Sequence, residues 1–384
     1  MNATRGPQYR GDRDGGDAGP RPLAITLGDP AGIGGEIIAK AFRQAPQVLA
    51  GCFVVGDLDH LRRATAAVVR PGAAALPVAL ITHPGEALAV PPGCLPLLQV
   101  GAARALVPWG QVSAASGEMA AAAVVWAARA ALRGEVAGLV TAPLHKEALA
   151  AAGVAFPGHT ELLQAEAAAF MGVPVAAMPV RMMLASDELR TVLVSIHVSL
   201  RDAIEAVSLQ GVLATLRITE RALQAALGRS PRIAVAGLNP HAGEGGLFGQ
   251  EEIDIIAPAV AAARSEGLDV TGPLAPDTVF MRARRVPGKP AEFDVVVAMY
   301  HDQGLIPVKY LGIDKGVNVT LGLPLVRTSP DHGTAFDIAG TGTADASSLV
   351  EAVRMARSLE PCQSVPARPA ASPSAAGGSG LPSA

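Results

Sequence analysis

Three histidines, His197, His241 and His301, have the residue type and the setting that metal chemistry requires. Each follows an apolar, β-branched run that predicts a strand, VLVSI, RIAVAGLNP or DVVVAMY. Ligands of α/β proteins bind at the carboxyl ends of parallel strands. Three imidazoles that meet at one such edge could hold a single divalent cation and leave a coordination position open, as in catalytic zinc sites. The alternative is three unrelated loop or core histidines, and their shared context favours the metal site.

Two carboxylates and a lysine are candidate partners of this site. Asp302 follows His301 directly, and Asp277 lies in GPLAPDTVF. A carboxylate beside a metal-binding histidine often orients the ring, although either aspartate could simply form a turn. Lys309 lies on the same segment as His301, MYHDQGLIPVKY. A lysine shielded from water has a lowered pKa and could transfer a proton; the alternative is a solvated surface charge.

A second group of residues is suited to binding an anion. His159 and Thr160 in FPGHTELL precede an apolar helical run, where an imidazole, a hydroxyl and free helix N–H groups could bind phosphate. Thr160 is also a candidate N-cap. Lys309, Asn318 and Arg327 lie in KYLGIDKGVNVTLGLPLVRTSP. Arginine binds carboxylate or phosphate through two hydrogen bonds, and lysine acts as a point charge. A simple helix cap and solvated charges remain the alternatives.

The segment LAITLGDPAGIGGEIIAK predicts a strand, a turn and a helix. Gly32 and Gly34 match the first two glycines of the dinucleotide fingerprint, but Ile37 occupies the third position. The full G-x-G-x-x-G is absent, which disfavours a standard Rossmann cofactor site. An anion at the helix N-terminus and a tight structural connector both remain open.

The elements that must position these residues follow an alternating pattern. The predicted strands are LAITL, CFVVGD, AGLVTA, TVLVSIH, RIAVAGL and DVVVAMY. The predicted helices are GEMAAAAVVWAARAALR, QGVLATLRITERALQAAL and EEIDIIAPAVAAARSEG. This alternation predicts an α/β fold with a mostly parallel sheet covered by helices.

Composition excludes several classes of function. The net charge of −3 favours neither nucleic acid nor an anionic membrane as a partner. Three scattered cysteines, Cys52, Cys94 and Cys362, and the lack of a signal peptide or membrane span predict a cytoplasmic protein. The polar, Gly-rich residues 1–21 and the low-complexity residues 361–384 are predicted to be disordered.

Several long motifs together resemble the 4-hydroxythreonine-4-phosphate dehydrogenase family of vitamin B6 biosynthesis. The matching stretches are GDPAGIGGE, TAPLHKEAL, FPGHTELL, HVSLRD, GLNPHAGEGGLFGQEE, GPLAPDTVF, AMYHDQG and GVNVTLGLPLVRTSPDHGTAFDIAG. DHGTAFDIAG is also similar to the loop of isocitrate and isopropylmalate dehydrogenases that holds the adenosine end of NAD(P). This second likeness accounts for nicotinamide use without a G-x-G-x-x-G.

The resemblance implies two α/β/α domains of the isocitrate/isopropylmalate dehydrogenase type, with the active site in the cleft between them and a homodimer partner that completes it. We expect residues 22–142 and 324–360 to form domain 1 and residues 143–323 to form domain 2. The implied metal ligands are His197, His241 and His301. The implied substrate-binding residues are His159, Thr160, Lys309, Asn318 and Arg327. The cofactor loop corresponds to His332, Gly333 and Asp337.

The activity that the resemblance implies is a metal-dependent, NAD(P)-linked oxidation of 4-phosphohydroxy-L-threonine, followed by decarboxylation to 3-amino-2-oxopropyl phosphate. Lys309, Asp302 and Asp277 are the candidate catalytic residues. Histidine ligation favours zinc, with magnesium, manganese or cobalt as alternatives. The stretch HDQGLIPVK is less similar to the biosynthetic members than to a sister group, which oxidises D-threonate 4-phosphate or D-erythronate 4-phosphate. A metal-dependent hydrolase on the same scaffold and a non-catalytic phosphate- or metal-binding protein are the rival interpretations.

Overall fold

The computed structural model describes residues 21–69, 72–312 and 315–360. The predictions of disorder for residues 1–21 and 361–384 therefore lie outside the described residues, except for Arg21. The strands are β1 (Leu23–Thr26), β2 (Cys52–Gly56), β3 (Val78–Ile81), β4 (Leu95–Gln99), β5 (Leu139–Thr141), β6 (Arg181–Ala185), β7 (Arg190–Leu193), β8 (Ile233–Ala236), β9 (Val270–Leu274), β10 (Val295–Ala298), β11 (Val317–Leu321) and β12 (Arg327–Pro330).

Helices connect these strands in the alternating manner that the sequence predicts. They are α1 (Gly34–Gln44), α2 (Leu58–Ala67), α3 (Ala114–Leu132), α4 (Lys146–Ala151), α5 (His159–Met171), α6 (Leu200–Ala206), α7 (Leu209–Leu227), α8 (Ala257–Ser265), α9 (Val279–Ala283), α10 (His301–Tyr310) and α11 (Ser347–Leu359). Short 3₁₀ turns cover Pro84–Leu88, Val175–Ala177 and Pro240–Gly246. Among the described helices, none combines the length and the apolar composition that a membrane span requires.

All twelve strands belong to one sheet, in the order β3-β4-β2-β1-β5-β12-β11-β6-β7-β10-β8-β9. The outer strands pair in parallel, whereas β11 pairs antiparallel with β12 and β6, and β6 pairs antiparallel with β7. The predicted α/β class and mostly parallel sheet are confirmed, and each predicted strand overlaps an observed one. The antiparallel centre is not evident from local periodicity, because it depends on pairing between segments far apart in the chain.

Two features of the fold hold the loops that carry the site. The four residues of β10 are buried completely, as expected for a parallel strand covered on both faces. Gly117 of α3 lies so close to α4 that an added Cβ would be 2.0 Å from the carbonyl oxygen of Ala148. Because α3 and α4 touch backbone to backbone, the start of α4 has a fixed position beside the end of β5.

One predicted helix is divided. The stretch EEIDIIAPAVAAARSEG forms a π-helical turn at Glu252–Ile256 and then α8. Pro258 lacks the backbone N–H that an uninterrupted α-helix needs at this point, and π turns often form where the regular bonding pattern fails. The division into domains 22–142 plus 324–360 and 143–323 stays a prediction.

Candidate active site

The three histidines follow three neighbouring parallel strands. β10 pairs in parallel with both β7 and β8, so the carboxyl ends of these strands lie side by side. His197 follows the last residue of β7 by four positions, His241 follows β8 by five, and His301 follows β10 by three. The histidines thus lie three to five residues beyond the ends of neighbouring strands.

His197 and His301 form a pair. Their ring centroids are 5.7 Å apart and the rings are tilted by 43°. Two imidazoles bound to one ion at about 2.1 Å have centroids roughly 5 Å apart, so this pair fits two positions of a metal site. Nδ1 of His301 lies 2.7 Å from Oδ1 of Asp302, which leaves Nε2 free to bind a ligand. Asp302 therefore occupies the orienting position that the sequence predicts.

His241 does not join the pair. No group of three or more His, Cys, Asp or Glu side chains in residues 21–69, 72–312 and 315–360 is arranged to hold a metal ion. His241 lies in a left-handed turn, with φ of 53°, and Ala242 and Glu244 also have positive φ. Such backbone costs about 1–2 kcal/mol for each residue with a Cβ, and strain of this kind concentrates at functional sites. Glu252 supports the turn by accepting hydrogen bonds from the N–H groups of Leu238 and Asn239.

A cavity of about 490 Å³ adjoins this edge of the sheet. Seven of the residues predicted from the sequence line it, namely His159, Thr160, His197, Asn318, Arg327, His332 and Gly333. These residues come from segments between positions 159 and 333, so the tertiary structure brings the predicted anion-binding and cofactor-binding residues to one space.

Arg327 is the most unusual group in the cavity. It is 4% exposed, and its guanidinium donates hydrogen bonds to Oγ1 of Thr141 at 2.9 and 3.2 Å and to Oγ1 of Thr320 at 3.1 Å. It forms no ion pair within the described residues. Burial lowers the pKa of Arg327 to about 10, and the negative charge of Glu161 offsets part of that effect. A buried cation with only hydroxyl partners is costly in a low-dielectric interior, so this site is suited to receive an anion.

His159 faces the same space. Its Nε2 is buried and has no hydrogen-bond partner. Burial, and then the charge of Arg327, hold the pKa of His159 well below its usual range. The ring is therefore neutral at physiological pH and can donate or accept one hydrogen bond to a ligand. α5 begins at His159 with Gly158 as its N-cap, so the interpretation of Thr160 as the N-cap is wrong: Thr160 is in the first turn, and its side chain faces the cavity.

Lys309 has a partner that the sequence did not reveal. It lies near the end of α10, and its Nζ is 2.7 Å from Oδ2 of Asp331, which lines the cavity. Lys309 itself is absent from the lining of the cavity and reaches it through Asp331. This ion pair compensates the positive charge of Lys309.

Sequence reasoning missed Thr141, Lys146, Glu161 and Asp331, all of which line the cavity. One signal could have found the first two. Thr141 ends β5 and Lys146 follows by five residues, so both obey the strand-end rule that singled out the histidines. Burial, and then the positive charge of Lys146, lower the pKa of His197, which favours the neutral imidazole that a metal requires.

A second cavity of about 340 Å³ lies beside the first. His197, His301 and Asp302 line it, with apolar side chains that include Val198 and Leu200. Val198 is 53% exposed and Leu200 is 60% exposed. The histidine pair thus lies between a polar cavity and an apolar one.

Besides Lys309, three predicted residues line neither cavity. Asp277 is exposed on the loop before α9, Asp337 is exposed in the loop after β12, and His241 is in its left-handed turn. The loop after β1 packs closely against the loop after β12: an added Cβ on Gly32 would be 2.9 Å from the carbonyl oxygen of Thr334. The ring of His145 stacks on Phe336 with centroids 4.8 Å apart.

The chain is similar to a known protein family and to several named dehydrogenases. A family model described as pyridoxal phosphate biosynthetic protein PdxA matches residues 49–356. A 4-hydroxythreonine-4-phosphate dehydrogenase of Beijerinckia indica is 52% identical over 339 residues, covering 88% of this chain and 95% of that protein. A D-threonate 4-phosphate dehydrogenase of Salmonella typhimurium is 44% identical over 344 residues, covering 88% and 99%.

A solved structure of a dehydrogenase also matches the fold of this chain. The 4-hydroxythreonine-4-phosphate dehydrogenase from Klebsiella pneumoniae matches with a TM-score of 0.77 at 42% sequence identity, covering 88% of this chain and 99% of that one. The relatives are dehydrogenases by name, and each is matched over nearly its whole length. The chain therefore belongs to the PdxA family of pyridoxal phosphate biosynthetic proteins.

Proposed function

We propose that this oxidoreductase oxidises the C3 hydroxyl of 4-phosphohydroxy-L-threonine with a nicotinamide cofactor, and that the resulting 3-keto acid loses carbon dioxide to give 3-amino-2-oxopropyl phosphate. The observation that carries the proposal is Arg327, a buried guanidinium without a carboxylate partner, in a cavity that is also lined by His197, which pairs with His301. A phosphorylated hydroxy acid supplies both the anion for Arg327 and the hydroxyl for the histidine pair.

The phosphate-binding residues of the proposal are Arg327, His159, Thr160 and Asn318. Arg327 can donate two hydrogen bonds to phosphate oxygens. His159, with its unpartnered Nε2, can add another when that nitrogen carries the proton. We assign the proton of the reacting hydroxyl to Lys309, which reaches the cavity through Asp331 and must first lose its own proton to act as a base.

A divalent cation fits the histidine pair, whose spacing suits two ligands of one ion. We assign the ligands to His197, His301 and His241, with zinc favoured by imidazole ligation and magnesium, manganese or cobalt as alternatives. Such an ion supplies Lewis-acid polarisation of the hydroxyl and stabilises the negative charge that develops after oxidation. Asp302 holds the His301 ring in the orientation that ligation needs.

The cofactor is NAD or NADP, held by the loop that includes His332, Gly333 and Asp337. His332 and Gly333 line the same cavity as Arg327 and His159, which supports a cofactor site next to the substrate. The free thiols of Cys52 and Cys94 are in keeping with a reducing, cytoplasmic location.

We also propose that the protein is a homodimer in which His241 of the partner subunit completes each metal site. Two features support this. First, His241 lies outside the group formed by His197 and His301. Second, large apolar side chains are exposed near each part of the site: Val198 and Leu200 lie beside the histidine pair, and Leu247, which is 73% exposed, lies near His241. Exposed apolar surface of this kind is typical of protein interfaces.

Mixed dimers test the shared site. We expect His241→Ala and His301→Ala homodimers to be inactive, and their co-expressed mixture to regain about a quarter of the wild-type sites, since half of the dimers are mixed and each mixed dimer has one intact site. Turnover of the unfractionated mixture measures this recovery, and mixed dimers isolated through two different tags should regain about half of the sites. A mixture that stays as inactive as either parent would place all three histidines in one chain.

A side-by-side assay tests the reaction. We expect reduction of NAD or NADP with 4-phosphohydroxy-L-threonine, with kcat/KM about tenfold or more above that for D-threonate 4-phosphate. Nicotinamide absorbance and carbon dioxide release measure turnover. A preference for D-threonate 4-phosphate would assign the chain to sugar-acid oxidation, and phosphate release without cofactor reduction would indicate a hydrolase.

A further inference from the structure

Gln303 joins two of the strand ends that carry the histidines. It is the third residue of α10, and its side-chain amide bonds to backbone groups on two different loops. Its Oε1 accepts a hydrogen bond from the N–H of Met299 at 2.7 Å, and its Nε2 donates one to the carbonyl of Gly237 at 2.7 Å. Met299 lies two residues before His301. Gly237 lies four residues before His241, so one side chain links the loops of both histidines.

The loop of His197 is attached to the same point. The carbonyl of Met299 accepts a hydrogen bond from the backbone N–H of Ser195 at 3.2 Å and another from its hydroxyl at 2.9 Å. Ser195 lies two residues before His197. Met299 and Gly237 are both buried, so a backbone group of either that lost its partner would have no water to replace it, which is costly.

The first turn of α10 has little room to move. An added Cβ on Gly304 would be 2.5 Å from Cδ2 of Leu193, the last residue of β7, and 3.1 Å from Cβ of Ala298, the last residue of β10. Interiors packed this closely do not yield easily. The amide of Gln303 therefore has a fixed position relative to the two strands that precede the histidine pair.

Two roles fit a glutamine at this place. A side-chain acceptor in the first turn of a helix that binds an N–H group just before the helix is a capping arrangement and needs no second bond. The bond to Gly237 goes beyond capping, because it leaves the helix and reaches the end of β8, just before the strained turn of His241. A glutamate would keep the acceptor but has no N–H to donate. Exchange of Gln303 for glutamate therefore separates the two roles.

We propose that Gln303 is a positioning residue for the metal site, which sets the place of the His241 loop relative to the His197–His301 pair. The inference rests on the proposed function and extends it. In the proposed dimer, the histidine pair of one subunit binds one ion, and His241 of the same subunit binds the other. Each Gln303 then connects the two metal sites of the dimer through its bond to Gly237.

Metal affinity, measured apart from turnover, tests the assignment. We expect Gln303→Glu to raise the dissociation constant for Zn²⁺ about tenfold or more, because residues that orient metal ligands contribute on that scale. Competition with a chromophoric chelator measures this constant on metal-stripped protein.

Gln99→Glu is the matched control. Gln99 also accepts a hydrogen bond from a backbone N–H, that of Leu58 at 2.8 Å, and donates one to an oxygen, Oδ2 of Asp57 at 3.0 Å. It belongs to β4, which is next to one edge of the sheet, whereas β8 is next to the other. Its dissociation constant for Zn²⁺ should stay within about twofold of the wild-type value. Equal weakening by both changes would trace the effect to general destabilisation and overturn the proposal.

Mixed dimers show whether the effect reaches both loops. A dimer of one His241→Ala and one His301→Ala subunit has one intact site, with the histidine pair from the first subunit and His241 from the second. Gln303→Glu should weaken Zn²⁺ binding at that site whichever subunit carries it. Weakening only from the first subunit would show that Gln303 supports His301 alone, and an unchanged dissociation constant would make it a helix cap. Either result overturns the proposal.

The same dimer without a change at Gln303 keeps this test apart from the proposed function. If that dimer lacks a Zn²⁺ site of wild-type affinity, the shared site is wrong, and the homodimer comparison of Gln303→Glu with Gln99→Glu still decides the role of Gln303. Thermal unfolding of the metal-free proteins verifies that each variant is folded. Gln303→Met removes both bonds without adding a charge and should weaken Zn²⁺ binding at least as much; a folded Gln303→Met protein with wild-type affinity would also overturn the proposal.

Discussion

Replacing Arg327 with methionine should make the ligand-free protein more stable and its binding of phosphorylated substrate much weaker. The guanidinium is 4% exposed and has only the hydroxyls of Thr141 and Thr320 as partners. Replacement of buried charge by an apolar side chain of similar volume often stabilises a fold by about 1–4 kcal/mol. Loss of a desolvated bidentate contact should raise KM roughly tenfold to a hundredfold, since such a contact contributes about 1.5–3 kcal/mol.

Urea unfolding with and without inorganic phosphate measures the first effect, and steady-state kinetics measure the second. Phosphate should stabilise the wild type by mass action and have little effect on the variant. Arg129→Met is the matched control, because that arginine is paired with Glu166 on the surface and an exposed pair contributes at most about 1 kcal/mol. An Arg327→Met protein that unfolds more easily than wild type and keeps its KM would show that the arginine is structural.

If the proposed metal is held by the histidine pair, replacing His301 with alanine should remove it together with nearly all turnover. The expected loss is at least about 10²-fold in kcat, because Lewis-acid stabilisation is worth several kcal/mol in a transition state. Asp302→Asn should have a smaller effect, roughly 10- to 100-fold in metal affinity or activity, because the aspartate acts through the His301 ring at 2.7 Å.

Metal content per subunit is measured separately from activity by elemental analysis of the purified protein. His83→Ala is the matched control, since that imidazole is exposed, lies at the start of a surface 3₁₀ turn and borders neither cavity near the histidine pair. A His301→Ala protein that keeps a full complement of metal and normal turnover would exclude this histidine from the site.

The strand-end rule explains how much of the site could be found from the chain alone. β7, β8 and β10 are short apolar runs with local signals, and a residue just past such a run faces the ligand edge of a parallel sheet. Applied more widely, the rule also identifies Thr141 and Lys146 after β5. It could not find Asp331, because nothing in a short segment indicates that a lysine at the end of α10 approaches a carboxylate after β12.

The amino-acid sequence by itself determined the α/β class, the strands that carry the histidines and the motifs whose family resemblance groups Arg327, His159 and Asn318. Each of these depends on periodicity within a segment or on motifs of fixed spacing. The tertiary structure alone decided the antiparallel centre of the sheet, the pairing of His197 with His301 apart from His241, and the burial of Arg327 against Thr141, 186 residues away. These features arise from contacts between distant segments, whose geometry is set by packing of the whole chain rather than by any local pattern.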